Sequence, residues 1–165
     1  MDIIQLLVKE FDEENEKTRS MLERIPEDKW DWKPHEKSMV FQYLVVHLAE
    51  IPAWVTMALN TSELDFAAMD YKPAVVNSRE DVLKLHKKSV QQGRESLQQA
   101  SESDLLPTWT MRHGDKIFSV MTKYEVIRHA IAQTIHHRAQ LGVYLRLLDI
   151  PIPGSYGPSA DEPWS

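Results

Sequence analysis

Apolar residues recur at helical spacing along four stretches of this chain, and the breaks between them predict where each helix ends. From Ile3 to Ile25, the positions Ile3, Leu6, Leu7, Phe11, Met21, Leu22 and Ile25 follow a 3.6-residue period around a polar middle, DEENEKTRS. One long helix is predicted there. The segment PEDKWDWKPHEK then reads as a loop, with Pro26 and Pro34 as breakers. A second helix is predicted after Ser38, whose hydroxyl suits an N-cap. Leu44, His47, Leu48, Ile51 and Val55 share its face, and Pro52 should kink or divide it. NTSELDFAAMDYKPAVVN keeps no period and reads as a long connection. Ser78 with Asp81 makes a variant capping box, so a third helix is predicted from Arg79 to about Ser101, with Val82, Leu85, Val90 and Leu97 apolar. TWTMRHGDKIFSV alternates loosely around His113-Gly114-Asp115, a hairpin-turn composition. Thr122 and Glu125 form a full capping box for a fourth helix, from about Lys123 to Leu148. Pro151 and Pro153 stop it, and an extended tail follows over about 150–165.

Four long amphipathic segments in 165 residues predict an all-α fold: a four-helix bundle in a single domain over 1–165, with the short hairpin-like segment before the last helix as its one strand-like part. All five glycines lie at or beyond Gly93, so the first half lacks the punctuation that a series of short strands needs. The net charge is −6 with no basic cluster, which argues against a nucleic-acid partner. The absence of cysteine excludes disulfides, thiolate metal sites and a catalytic thiol. No run approaches the roughly 20 apolar residues of a membrane span, and the first residues lack the features of a signal peptide. A cytoplasmic protein without a membrane partner is expected.

The chemistry gathers in HAIAQTIHHRAQL, residues 129–141. On a helix, His129, Gln133, His136, His137 and Gln140 span an arc of roughly 100°, beside the apolar sector of Ile127, Ile131, Leu141, Leu145 and Leu148. Neighbours at i, i+4 can share a metal, so Gln133/His137 and His129/Gln133 are workable pairs. His129 and His137, about 12 Å apart along the axis, are not. By themselves these residues also suit a half-exposed polar stripe. His47 lies on the apolar face of the second helix, and inward residues of different helices in a bundle converge on one centre.

LVVHLAEIPAW and IHHRAQLGVYLRLL resemble the two signatures of the DinB-like family of small bacterial proteins, and WDWKPHEKSM and PIPGSYGPSADE resemble segments of one subgroup. The resemblance spans nearly the whole chain. It implies a bundle with an unusual helix order, often a homodimer, and a divalent metal, nickel or zinc, held by three histidines. One comes from the second helix and matches His47. Two come from the fourth at i and i+4; the last matches His137, and the middle one falls on Gln133, a departure from the family pattern. Glutamine can coordinate through its amide oxygen, more weakly than imidazole. The metal ligands implied are therefore His47, Gln133 and His137, with a site that is retained, weak or lost. His129 and His136 are candidates for hydrogen bonds to those ligands.

The family further implies a metal-dependent enzyme acting on a small-molecule substrate. It would be either a thiol-dependent S-transferase or a metal-assisted hydrolase, with any low-molecular-weight thiol arriving as cosubstrate. The alternative is a non-catalytic, stress-related or ligand-binding protein with a degenerate metal site. No catalytic residue is assigned. His35, Glu50, Arg138, Arg146 and the tryptophans Trp30, Trp32, Trp54 and Trp109 remain as further candidates, each with an ordinary structural role open to it. No G-x-S-x-G, P-loop or G-x-G-x-x-G is present.

Overall fold

The structure is a computed structural model that describes residues 2–163. Helix α1 spans Ile3–Leu22, and Asp2 caps it by accepting the Gln5 N–H at 2.8 Å. The predicted second helix is divided: α2 spans Phe41–Glu50, Ile51–Ala53 form a single 3-10 turn at Pro52, and α3 spans Trp54–Asn60. Helix α4 spans Arg79–Gln99 and α5 spans Lys123–Leu147. Both start at the expected capping boxes, Ser78/Asp81 and Thr122/Glu125. Helix α5 ends on Asp149 in the left-handed region (φ 58°), and the Ile150 N–H bonds back to the Leu145 carbonyl.

The all-α expectation fails. A three-stranded mixed sheet, in the order β1-β2-β3, joins the helices. Strands β2 (Thr108–His113) and β3 (Lys116–Thr122) form the expected hairpin, turning at Gly114 with φ 55°. The strand that overturns the expectation is β1 (Glu63–Asp65), inside the segment read as a plain connection. It pairs with β2 in parallel. Three residues carry no alternation of their own, so β1 is made by tertiary contacts. The Arg112 guanidinium takes both carboxylate oxygens of Glu63 at 2.8 and 3.0 Å, and the Gly114 N–H donates to Asp65 at 2.9 Å.

Helices α4 and α5 each pack against both α1 and the α2–α3 arm. The arm approaches α4 closely because Gly93 has no side chain: a Cβ there would lie 2.5 Å from the Pro52 carbonyl oxygen and 2.8 Å from the Phe11 ring. Two apolar clusters result. One gathers Phe41, Leu44, Leu48, Leu141 and Leu145, with Trp30 and Trp32 against it; the other gathers Phe11, Ile51, Val55, Leu97, Trp109 and Ile127. Between them, midway along the helices, lies a polar layer of Glu14, Asn15, Thr18, His86, Ser89, Thr134 and Arg138, all buried. Among the described residues no buried side-chain nitrogen or oxygen in this fold lacks a partner. None of the described helices is long and apolar enough to cross a membrane.

Within this layer His86 is 3% exposed, and its Nε2 lies 3.3 Å from the Asn15 side-chain oxygen. Burial, with the Arg19 charge nearby, pushes its pKa down to about 4 against a smaller upward pull from Glu16. The folded state therefore takes up this proton less readily than the unfolded chain. The stability it contributes is complete above about pH 6.5 and is lost as the pH falls towards 4. Between pH 7 and pH 5, above the carboxylate range, the loss is expected to be about 2 kcal/mol. Urea unfolding at the two pH values should show a loss in the wild type that is about 2 kcal/mol smaller in His86→Gln, the remainder coming from the buried imidazoles His47 and His137, whose pKa values are also lowered; equal losses would contradict it.

Candidate metal and ligand site

Helix α2 also faces α5. His47, half-buried near the end of α2, meets His137 of α5 with ring centroids 4.7 Å apart and planes at 83°. These two positions are 90 residues apart in sequence. They meet because each lies on the inward side of an amphipathic helix at the level where the apolar clusters give way. Burial, with His137 beside it, pushes the His47 pKa down to about 4, so the ring is neutral at physiological pH. Burial also lowers His137, with a smaller contribution from His136; its hydrogen bond with Gln140 works in the opposite direction. His137 Nδ1 lies 2.8 Å from the Gln140 Oε1, which fixes the proton on Nδ1 and leaves the Nε2 lone pair free.

Gln133 lies one turn before His137. Its Nε2 is 3.4 Å from His129 Nε2, a long N–H···N contact, so the amide oxygen is its remaining donor atom. Among the described residues, no group of three histidine or acidic side chains is placed to hold a metal. The donors available are thus two neutral imidazoles and one amide oxygen. Such a set would suit a borderline divalent ion such as nickel or zinc, and would bind it less tightly than three imidazoles.

Trp54 links this pair to a cavity. Its ring meets His47 edge-on at 5.5 Å and stacks on His129 at 6.5 Å with planes 10° apart. Beyond it lies a cavity of about 660 Å³, bounded by α2, α3, α4, the sheet and the start of α5. The connection between β1 and α4 lies along its side. Glu50 holds that connection in place, accepting the Tyr71 hydroxyl at 2.5 Å and the Ala74 N–H at 3.2 Å. Burial and the Glu50 carboxylate both raise the Tyr71 pKa, so the hydroxyl stays protonated and donating.

The other candidates have structural roles. Arg138 is 2% exposed and lies in the buried layer. It donates to the Glu14 carboxylate at 2.6 Å, the Glu14 carbonyl at 2.8 Å and Tyr156 at 2.9 Å. Arg146 pairs with Asp161 at 2.5 Å and so ties the tail to α5. His35 Nδ1 accepts the Lys37 N–H within its own exposed loop. His136 is exposed, its ring 5.0 Å from that of His137. Trp30 and Trp32 pack on Phe41 and Tyr144, whereas Trp54 and Trp109 line the cavity. The residues that sequence reasoning missed are the cavity's methionines. They lie on a helix, two strands and the unpatterned connection, so no single local pattern groups them, and the only signal was their number.

The sequence matches the DinB family over residues 1–164. No curated protein matches it. Among solved structures, it is similar to a DinB-like protein from Bacillus cereus, with a TM-score of 0.70 at 18% identity, covering 91% of this chain and 95% of that one. It is likewise similar to a DinB-like protein from Bacillus subtilis, with a TM-score of 0.68 at 20% identity, covering 89% and 96%. At these identities the likeness speaks for the fold.

Proposed function

The chain belongs to the DinB family, and from that premise we propose that it is a metal-dependent protein in which His47, His137 and the Gln133 amide oxygen hold a divalent nickel or zinc ion. The observation that carries this reading is the meeting of two neutral imidazoles, 4.7 Å apart, from helices distant in sequence. A metal bound there supplies a Lewis acid that lowers the pKa of a bound water or thiol. The chain's own residues prepare the place. Burial keeps His47 unprotonated, Gln140 selects the His137 tautomer, and the Trp54 ring shields one flank from water. Two reactions fit this chemistry, thiol-dependent S-transfer and metal-assisted hydrolysis. Because the chain has no cysteine, the thiol of the first would be a small molecule.

A second reading, a ligand-binding protein without catalysis, draws support from Gln133, whose amide already faces His129. Thermal unfolding separates the two. Zinc or nickel at about 100 times its dissociation constant is expected to stabilise metal-stripped protein by about 2.7 kcal/mol. This corresponds to a rise in Tm of roughly 5–10 °C for a chain of this size. His137→Ala should abolish the rise. A wild-type Tm that ignores millimolar metal would favour the non-catalytic reading.

A further inference from the structure

Four of the chain's seven methionines, Met57, Met69, Met111 and Met121, line the one cavity of about 660 Å³ beside His47. They come from α3, the β1–α4 connection, β2 and the end of β3, so only the fold brings them together. Trp54 and Trp109 complete the apolar wall, and the Trp109 indole N–H is already satisfied by Thr61 at 2.9 Å. Thioethers are polarizable, repack easily and make favourable contacts with aromatic rings. A wall of methionine and tryptophan therefore suits a flat aromatic guest, and the volume falls in the range of small-molecule sites.

The charged groups at the cavity's edge are not equivalent. Both carboxylate oxygens of Glu50 are engaged, by Tyr71 and by the Ala74 backbone. Lys88 of α4 lines the cavity, is exposed and has no ion-pair partner among the described residues, whereas Lys84 and Arg94 on the same helix are paired with Glu80 and Asp12. His47 and His129 add polar ring edges without a fixed negative charge.

We propose that this cavity binds a small aromatic monoanion, its ring among the methionines and tryptophans and its negative group towards Lys88. The proposal names a ligand class for the site described above. It shares His47 with the metal reading but needs no metal, so the two can fail separately.

The test uses full-length protein with methionine methyls labelled with carbon-13, assigned by single Met→Leu variants, in the presence of a chelator. The probes are 1-naphthoate and its neutral counterpart 1-naphthol. Saturable shifts are expected at Met57, Met69, Met111 and Met121, with Met21 and Met39 unmoved. Naphthoate should bind roughly fivefold more tightly than naphthol, the scale of one exposed ion pair. Lys88→Ala should remove that advantage and leave naphthol binding unchanged. Shifts at none of the four methyls, or at all methyls alike, would overturn the site. Equal affinity for the two probes in the wild type would overturn the anionic class. Because metal is absent throughout, either result leaves the metal proposal to its own experiments.

Discussion

Arg138→Ala is expected to lower folding stability by about 3 kcal/mol, at the lower end of the cost of breaking a buried ion pair. Arg138 and Glu14 are 2% and 5% exposed, and the arginine also holds the Glu14 carbonyl and Thr18 on α1. Without it, α1 and α5 lose their central polar link, and the Tyr156 hydroxyl of the tail loses one of its two hydrogen-bond partners. The lower end applies because Lys17 still reaches the other Glu14 oxygen at 2.8 Å. Burial pushes the Glu14 carboxyl up, but Lys17, Tyr156 and Arg138 together bring it below its ordinary value, so it is ionised at neutral pH and needs partners. The Tm should fall by roughly 6–12 °C. Glu14→Ala/Arg138→Ala should cost clearly less than the sum of the two single changes, because each single change leaves the other group without its main partner. Strict additivity in calorimetric unfolding would contradict this account of the layer.

Gln133→His is expected to tighten zinc or nickel binding by roughly 100-fold, since imidazole is the better match for these ions. The i, i+4 relation to His137 puts the new ring on the correct face of α5 without any change in backbone. The substitution also removes the amide's contact with His129, which is long at 3.4 Å and costs little to lose. Competition against a chromophoric chelator measures the change. Indistinguishable affinities for wild type and variant would show that position 133 does not face the ion.

Much of this was readable in the chain because it is local. The capping boxes at Ser78 and Thr122 mark the starts of α4 and α5 chemically, and Pro52 marks the break between α2 and α3. The pairing of His47 with His137 was implied by the family resemblance, and its physical reason is that two helices turn their inward faces to a common centre. What could not be read depends on contacts between distant segments. Strand β1 exists because Arg112 and Gly114 hold Glu63 and Asp65 beside β2, and nothing in ELD announces it. His86 lies between Leu85 and the lysines Lys87 and Lys88, with nothing that marks it as buried, and its burial follows from the fit of α4 against Asn15 of α1. The cavity escaped for the same reason, its methionines being scattered over three segments and a loop.

The central claim is that His47 and His137 act together on one divalent ion, and calorimetric titration of metal-stripped protein with zinc and with nickel tests it most directly. The expected result is a single site per chain in the wild type, a tighter one in Gln133→His, and binding lost or greatly weakened in Gln133→His/His47→Ala with the fold intact by circular dichroism. Equal affinities in all three proteins would contradict it.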